Sequence, residues 1–221
     1  MSGKGLFLNM NENAKAIRIF FSKTGRAKYI SALDLINCFQ RALRRTDIPV
    51  WHTQGFNPHT YVNINLPLSL GTEGIRESMD IKLTDDMSFD EVKDKLNAVL
   101  PSDVRVIKVA YPLKKHTEIE KSVYDIKIKC DIEKLKAFFE LPSIEVEKKT
   151  KRGVSTVDLK PHIQIENFNG NSLTLYLPSG CDFTLNPSLL FDAYESFCGE
   201  EIEHIDIIRT KILCKDGSEF I

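Results

Sequence analysis

No stretch of the chain approaches the ~20 consecutive apolar residues that cross a bilayer, and the apolar run within the leading MSGKGLFLNMNENAKA is too short for a signal peptide. There is no surplus of charge either. Thirty Lys and Arg against 31 Asp and Glu leave a net charge of −1, so no global field draws the protein to nucleic acid or membrane. Any such attraction has to come from local segregation of charge. The five cysteines, Cys38, Cys130, Cys181, Cys198 and Cys214, are odd in number and scattered. No CxxC occurs, and no spacing matches a zinc or iron–sulfur site. They read as reduced thiols of a cytoplasmic protein, with no metal and no cofactor expected. GxSxG, HExxH, Walker A and GxGxxG are all missing, which removes the enzyme classes built on those motifs.

What remains is an ordinary globular composition, 42% hydrophobic and 28% charged over 221 residues. That is long enough for one large domain or two of about 100 residues. Residues 1–15 read as a flexible lead-in. AIRIFFSK (16–23) reads as a strand. SALDLINCFQRALRR (31–45) reads as a helix, with Ser31 and Asp34 forming an N-capping signature. TYVNINLPL (60–68) alternates as a strand should, Gly71 and Gly74 mark a turn, and ESMDIKL (77–83) is the next strand. SFDEVKDKLNAVL (88–100) is a helix capped by Ser88, and VRVIKVAYPL (104–113) a strand. The order β-α-β-β-α-β is that of a ferredoxin-like unit. The second half repeats it, with strands in SVYDIKIKC, SIEVEKKT, SLTLYLPS and EIEHIDIIRTKILC, and helices in DIEKLKAFFE and NPSLLFDAYESF. The expected fold is therefore α+β: two ferredoxin-like domains in tandem, 16–113 and 122–221, joined near residues 114–121.

Charge segregates strongly. From residue 18 to 45 the cations are Arg18, Lys23, Arg26, Lys28, Arg41, Arg44 and Arg45, and the only acid is Asp34. Segments 73–94 and 192–206 are acid-rich instead. At ~100° per residue, Ala32, Leu35, Ile36, Phe39, Ala42 and Leu43 share one arc of the helix, and Arg41, Arg44 and Arg45 lie on the opposite arc. A charge run of this kind is often no more than a solvated face. Arginine forks, however, bind phosphate or carboxylate bidentately, which solubility alone does not require. A second basic zone, KKTKRG (148–153), places Lys149, Lys151 and Arg152 around a turn at Gly153.

Between helix and strand lies WHTQGFNPH. Gly55 accepts a positive φ or a close ligand approach. Asn57 before Pro58 initiates a turn. Phe56 and the sole Trp, Trp51, offer flat apolar faces, and His59 offers a donor, an acceptor or a proton near neutral pH. Two readings stand side by side: a ligand-gripping loop, or a rigid turn whose aromatics plug the core while His59 satisfies a carbonyl. For catalysis His59 is the weak candidate, because none of the five histidines has a partner evident from sequence.

The segments FSKTGRAKYISALDL, RALRRTDIPV, GFNPH, LPLSLGTEG and ESMDI, with KRGVSTVDLKPHI and IIRTKIL in the second half, resemble the radical-SAM-linked protein family, a bacterial domain of unknown function. The resemblance implies association with a radical SAM protein, in a genomic setting that often includes an RNase G-type ribonuclease. It implies no activity. The chain lacks the three-cysteine cluster motif of radical SAM enzymes, so it would be the companion. Where the family commonly reads SHLDL, this chain has SALDL, with Ala32 in place of histidine. The site positions carried over are Arg41, Arg44, Arg45, Gly55, Phe56, Asn57 and His59.

The leading expectation is an accessory RNA-binding protein of a radical SAM partner. Lys23, Arg26, Lys28, Arg41, Arg44 and Arg45 would hold phosphates, with Lys151 and Arg152 from the hairpin. Phe56 would stack a base, and Asn57 and His59 would read polar edges. The alternatives are a protein–protein adaptor that docks the radical SAM enzyme by its acid-rich faces without binding nucleic acid, with a structural GFNPH loop, and a metal-independent hydrolase or transferase using His59.

Overall fold

The computed structural model describes residues 14–150, 153–181 and 183–221. The lead-in up to residue 13, the expected phosphate ligands Lys151 and Arg152, and Asp182 lie outside the described residues.

Strand β1 (Lys15–Lys23) alternates. Ile17, Ile19 and Phe21 enter the core, and Arg18 points to the opposite face of the sheet. Helix α1 (Ala32–Arg44) starts where expected, because the Ser31 hydroxyl accepts the Asp34 N–H at 3.1 Å. Its Leu35, Phe39, Ala42 and Leu43 are buried, as the periodicity requires. Helix α2 (Phe89–Val99) is capped in the same way, by the Ser88 hydroxyl on the Glu91 N–H at 3.2 Å. With β2 (Val62–Ile64), β3 (Thr72–Leu83) and β4 (Val104–Ala110), these elements enclose the first core. The second core is built by β5 (Ile119–Lys129), α3 (Ile132–Glu140), β6 (Glu145–Thr150), β7 (Gly153–Asp158), β8 (Gln164–Asn169), β9 (Ser172–Pro178), α4 (Pro187–Cys198) and β10 (His204–Cys214).

The fold is mixed α+β, with four α-helices among the described residues. Its main sheet runs β4-β1-β3-β10-β5-β9-β8, and β2 makes the eighth strand by pairing with β3. Each pairing is antiparallel except one. β10 lies parallel to β3 over Ile207↔Thr72, Ile208↔Glu73 and Arg209↔Gly74. That short seam carries the sheet from the first half of the chain into the second.

Three expectations change. The segment SIEVEKKT is a strand, but it leaves the main sheet and pairs with β7 as a separate hairpin; β8 takes the place beside β9. The hairpin stays on the protein because Val146 sinks into the second core while Glu145 and Glu147 remain exposed. The strand expected over 60–68 shortens to Val62–Ile64. Conversely, β3 begins at Thr72, five residues ahead of the expected start, so Gly74 lies inside a strand. β10 supplies the partner that extends it.

Candidate nucleic-acid interface

The WHTQGFNPH segment is a small two-stranded ribbon that leaves the edge of β3. Val50 bridges Leu83, and His52 bridges Thr60. The Trp51 N–H donates to the Lys82 carbonyl at 2.9 Å, the Tyr61 N–H to the Trp51 carbonyl at 3.2 Å, and the Thr53 N–H to the His59 carbonyl at 2.8 Å. The Trp51 and Tyr61 rings meet edge-on at 5.9 Å, and the Lys82 ammonium sits 4.9 Å above the first and 5.3 Å above the second. Trp51 is thus part of the ribbon's foundation. The tip, residues 54–58, is exposed, and Phe56 is 100% exposed. Gly55 has φ of +142°, a conformation that side-chain-bearing residues rarely adopt.

His59 combines the two sequence readings. Its Nδ1 lies 3.0 Å from Thr53 Oγ1 and 3.2 Å from the Asn57 carbonyl oxygen. A proton on Nδ1 satisfies that carbonyl and braces the tip. Nε2 is left as an acceptor with no hydrogen-bond partner among the described residues. Among the described residues no carboxylate or second imidazole bonds His59.

Helix α1 is tied to the ribbon through Gln40, whose Nε2 donates to the Thr60 carbonyl at 2.9 Å. Arg44 lies one turn further along the same face, with its Nε on the Gln40 carbonyl at 3.2 Å. Arg41, Arg44 and Arg45 are all exposed, but they do not form one stripe. At ~100° per residue, Arg41 and Arg45 turn away from Gln40. They line a groove with Asp34, Asn37, Val99 and Pro101, between α1 and the turn that follows α2. No ribbon residue lines that groove.

Burial and pairing correct two of the other expected phosphate ligands, Lys23 and Lys28. Lys23 is 1% exposed. Its ammonium donates to the Ile30 carbonyl at 2.9 Å and the Lys28 carbonyl at 3.5 Å, closing the turn that precedes α1. Burial pushes its pKa down. Lys23 is a structural residue. Lys28 is held by Asp206 at 3.2 Å and Glu73 at 4.0 Å, so acids already neutralise it. Arg26 is exposed beside Asp103, whose carboxylate accepts the Arg26 backbone N–H at 3.1 Å. Sequence reasoning passed over Asn37, Val99 and Pro101 as site residues; Asn37 had a signal in the i, i+3, i+4 spacing of Asp34, Asn37, Cys38 and Arg41 along one helix face, whereas Val99 and Pro101 are brought opposite it only by the tertiary fold. Among the described residues no group of three His, Cys, Asp or Glu could hold a metal ion, and no helix is long and apolar enough to cross a membrane.

The model of the family described as "uncharacterized protein conserved in bacteria" matches residues 16–187, well over half of the chain. The chain belongs to the bacterial family DUF2344. In this DUF2344 protein the matched span holds β1 from its second residue, α1, the ribbon and both walls of the groove, and it ends at the first residue of α4. No curated protein matches the chain. Among solved structures, a chain of a Cbf5-Nop10-Gar1 complex is similar at 11% identity and a TM-score of 0.42, over 89% of the DUF2344 chain and 48% of the other. The DUF2344 chain thus spans about half the length of that neighbour.

Proposed function

We propose that this DUF2344 protein is an accessory RNA-binding protein that acts in the cytoplasm with a radical SAM enzyme, in RNA modification or processing. One observation carries the reading: Phe56 stands wholly exposed at the tip of a ribbon whose base is fixed by hydrogen bonds, by the Trp51–Tyr61 contact and by Gln40. A large apolar ring held in water by a rigid support is poorly placed for stability and well placed for stacking an unpaired base. Asn57 and the free Nε2 of His59 flank it with polar groups for a base edge, and Arg44 supplies a cation on the adjacent helix face. The radical SAM partner rests on the family-like segments quoted above. In this reading each half of the chain is a ferredoxin-like unit, the second interrupted by the β6–β7 hairpin.

Filter binding of single-stranded RNA at several salt concentrations tests it. Each neutralised phosphate contributes a log–log slope of about −0.7. Phe56→Ala is expected to weaken binding by ~1–3 kcal/mol with the slope unchanged, and Arg44→Ala to flatten the slope. Absence of binding at low salt, or variants indistinguishable from wild type, overturns the reading.

A second surface favours the adaptor reading. Tyr29, Leu33 and Leu70 are each about two-thirds exposed. The Gly71 N–H on the Lys28 carbonyl at 2.9 Å brings the Leu70 turn to the start of α1. Exposed apolar side chains gathered in this way mark protein contacts. In that reading wild type binds no RNA above background, and Leu33→Asp with Leu70→Asp is expected to abolish co-purification with a radical SAM partner; retained co-purification rejects the adaptor surface.

A further inference from the structure

The groove between α1 and the α2–β4 turn is separate from the ribbon and has its own chemistry. Its α1 wall is one continuous stripe, Asp34, Asn37, Cys38, Arg41 and Arg45, facing Val99 and Pro101. The volume is ≈ 240 Å³, below the ~300–1,000 Å³ of sites that enclose a drug-sized ligand. A ligand laid along it is therefore cradled on one side and left partly in water, and a length of strand is not enclosed. At ~1.5 Å per residue, Asp34 and Arg41 are about 10 Å apart along the helix.

Charge is distributed along this length. At the C-terminal end, the guanidinium groups of Arg41 and Arg45 have no ion-pair or hydrogen-bond partner among the described residues, although many cations elsewhere on the protein are matched with acids. At the N-terminal end, one oxygen of Asp34 takes the Ser31 hydroxyl at 2.7 Å, and neither the other oxygen nor the Asn37 amide has a hydrogen-bond partner among the described residues. Cys38 lies between the two ends. Burial pushes its thiol pKa up, so no thiolate opposes an anion there. Two free forks at one end, a carboxylate and an amide at the other and an apolar wall facing them describe a ligand with an anion, an apolar surface and a hydrogen-bonding edge that donates to the carboxylate.

We infer that this groove binds a guanine nucleotide. The phosphate sits between Arg41 and Arg45, which approach from the same helix face one turn apart. The ribose and the flat of the base lie on Val99 and Pro101. The N1–H and exocyclic N2–H of guanine donate to the Asp34 carboxylate, an acceptor-only group at neutral pH, and Asn37 pairs the remaining edge. Adenine presents a single exocyclic amine and a ring acceptor on that edge, so the carboxylate disfavours it. This assignment does not depend on Phe56 or on the ribbon. The same nucleotide chemistry is available free in solution or at the end of an RNA, and only the RNA-end source rests on the RNA-binding reading.

Calorimetric titration of the full chain with GMP, AMP, guanosine and inorganic phosphate tests the inference, with short RNAs ending in G or in A as a second arm. GMP is expected to bind at least about tenfold more tightly than AMP, guanosine or phosphate, a difference of ~1.4 kcal/mol. Arg41→Ala and Arg45→Ala each bring GMP to the level of guanosine, and Asp34→Asn brings the GMP-to-AMP ratio towards one. All three side chains are exposed, so thermal melts should match wild type and rule out misfolding as the cause. Phe56→Ala leaves GMP binding unchanged. If GMP binds and RNA does not, the groove takes the free nucleotide and the RNA-binding reading alone fails. If the G-ended RNA binds more tightly than GMP, through Asp34, the source is an RNA end. GMP binding no tighter than phosphate, or unaffected by Arg41→Ala, overturns the inference whatever the RNA result.

Discussion

Arg209 in β10 grips Glu77 in β3, 132 residues earlier in the chain, with its Nε 3.0 Å from Oε1 and its Nη2 bonded to the other carboxylate oxygen. The same Nη2 donates to the Leu66 carbonyl at 2.7 Å. The pair sits at the parallel seam, and Arg209 and Glu77 are 3% and 2% exposed. Lys23 is buried close enough for the charges of both to act on it. The cluster therefore holds two cations and one anion away from water. Removing one partner of a buried pair typically costs ~3–5 kcal/mol. Glu77→Gln leaves two uncompensated cations, whereas Arg209→Met leaves Lys23 to balance Glu77. Urea unfolding is expected to show the larger loss for Glu77→Gln; equal losses would mean that Lys23 does not share in the cluster.

Gly74 is constrained by this ion pair. A Cβ there would collide with the Glu77 side chain three residues on in the same strand. Gly74→Ala should push Glu77 off Arg209 and destabilise by an amount similar to losing the pair, ~3–5 kcal/mol. In the background of Glu77→Ala the same substitution should cost almost nothing. This double-mutant cycle distinguishes a steric conflict from a loss of strand geometry.

The two faces of α1 should respond differently. Phe39 is fully buried, with its ring centroid 5.0 Å from that of Phe21. Phe39→Ala should cost ~3–5 kcal/mol. Arg41→Ala should leave the denaturation midpoint within ~0.5 kcal/mol of wild type, as surface changes do. A comparable loss in both would contradict the placement of the helix.

Stability should fall in acid, in part through Asp206. The hydrogen bond from His204 and then that from Lys28 hold its carboxyl below the usual Asp range. A carboxylate whose folded pKa is depressed contributes stability at every pH above its unfolded value, near 4. That contribution is lost as pH falls from there through the folded pKa. Wild type and Asp206→Asn should therefore converge in urea midpoint as pH drops from 5 to 3, with wild type ahead at pH 5. The side chain is 40% exposed, so solvent screens the effect and it should be small. A gap that widens towards pH 3 would reverse the sign and reject this account.

Local physics was legible in the sequence. Helix α1, its Ser31 cap and its buried arc follow from the 3.6-residue period, because an amphipathic helix has one way to bury its apolar side. The helix α2, the strands β1 and β4, and the turn at GFNPH follow from capping, alternation and turn residues of the same short range, while whether Phe56 plugs the core or faces water did not. The wider site was only half legible. Three arginines exposed on one helix read as one basic arc, yet Gln40 on Thr60 and Val99 with Pro101 assign Arg44 to the ribbon side and Arg41 with Arg45 to a groove. Lys23 read as a free cation, and only the return of the chain around it turned it into a buried brace. The seam was beyond reach for the same reason. Glu77 and Arg209 look like ordinary surface charges in their own strands, and the parallel pairing that buries them is a long-range choice made when β10 is inserted beside β3. Local sequence sets each element and the face it buries. Which elements meet is decided by burying the whole sheet at once, and that is where the site residues acquired or lost their partners.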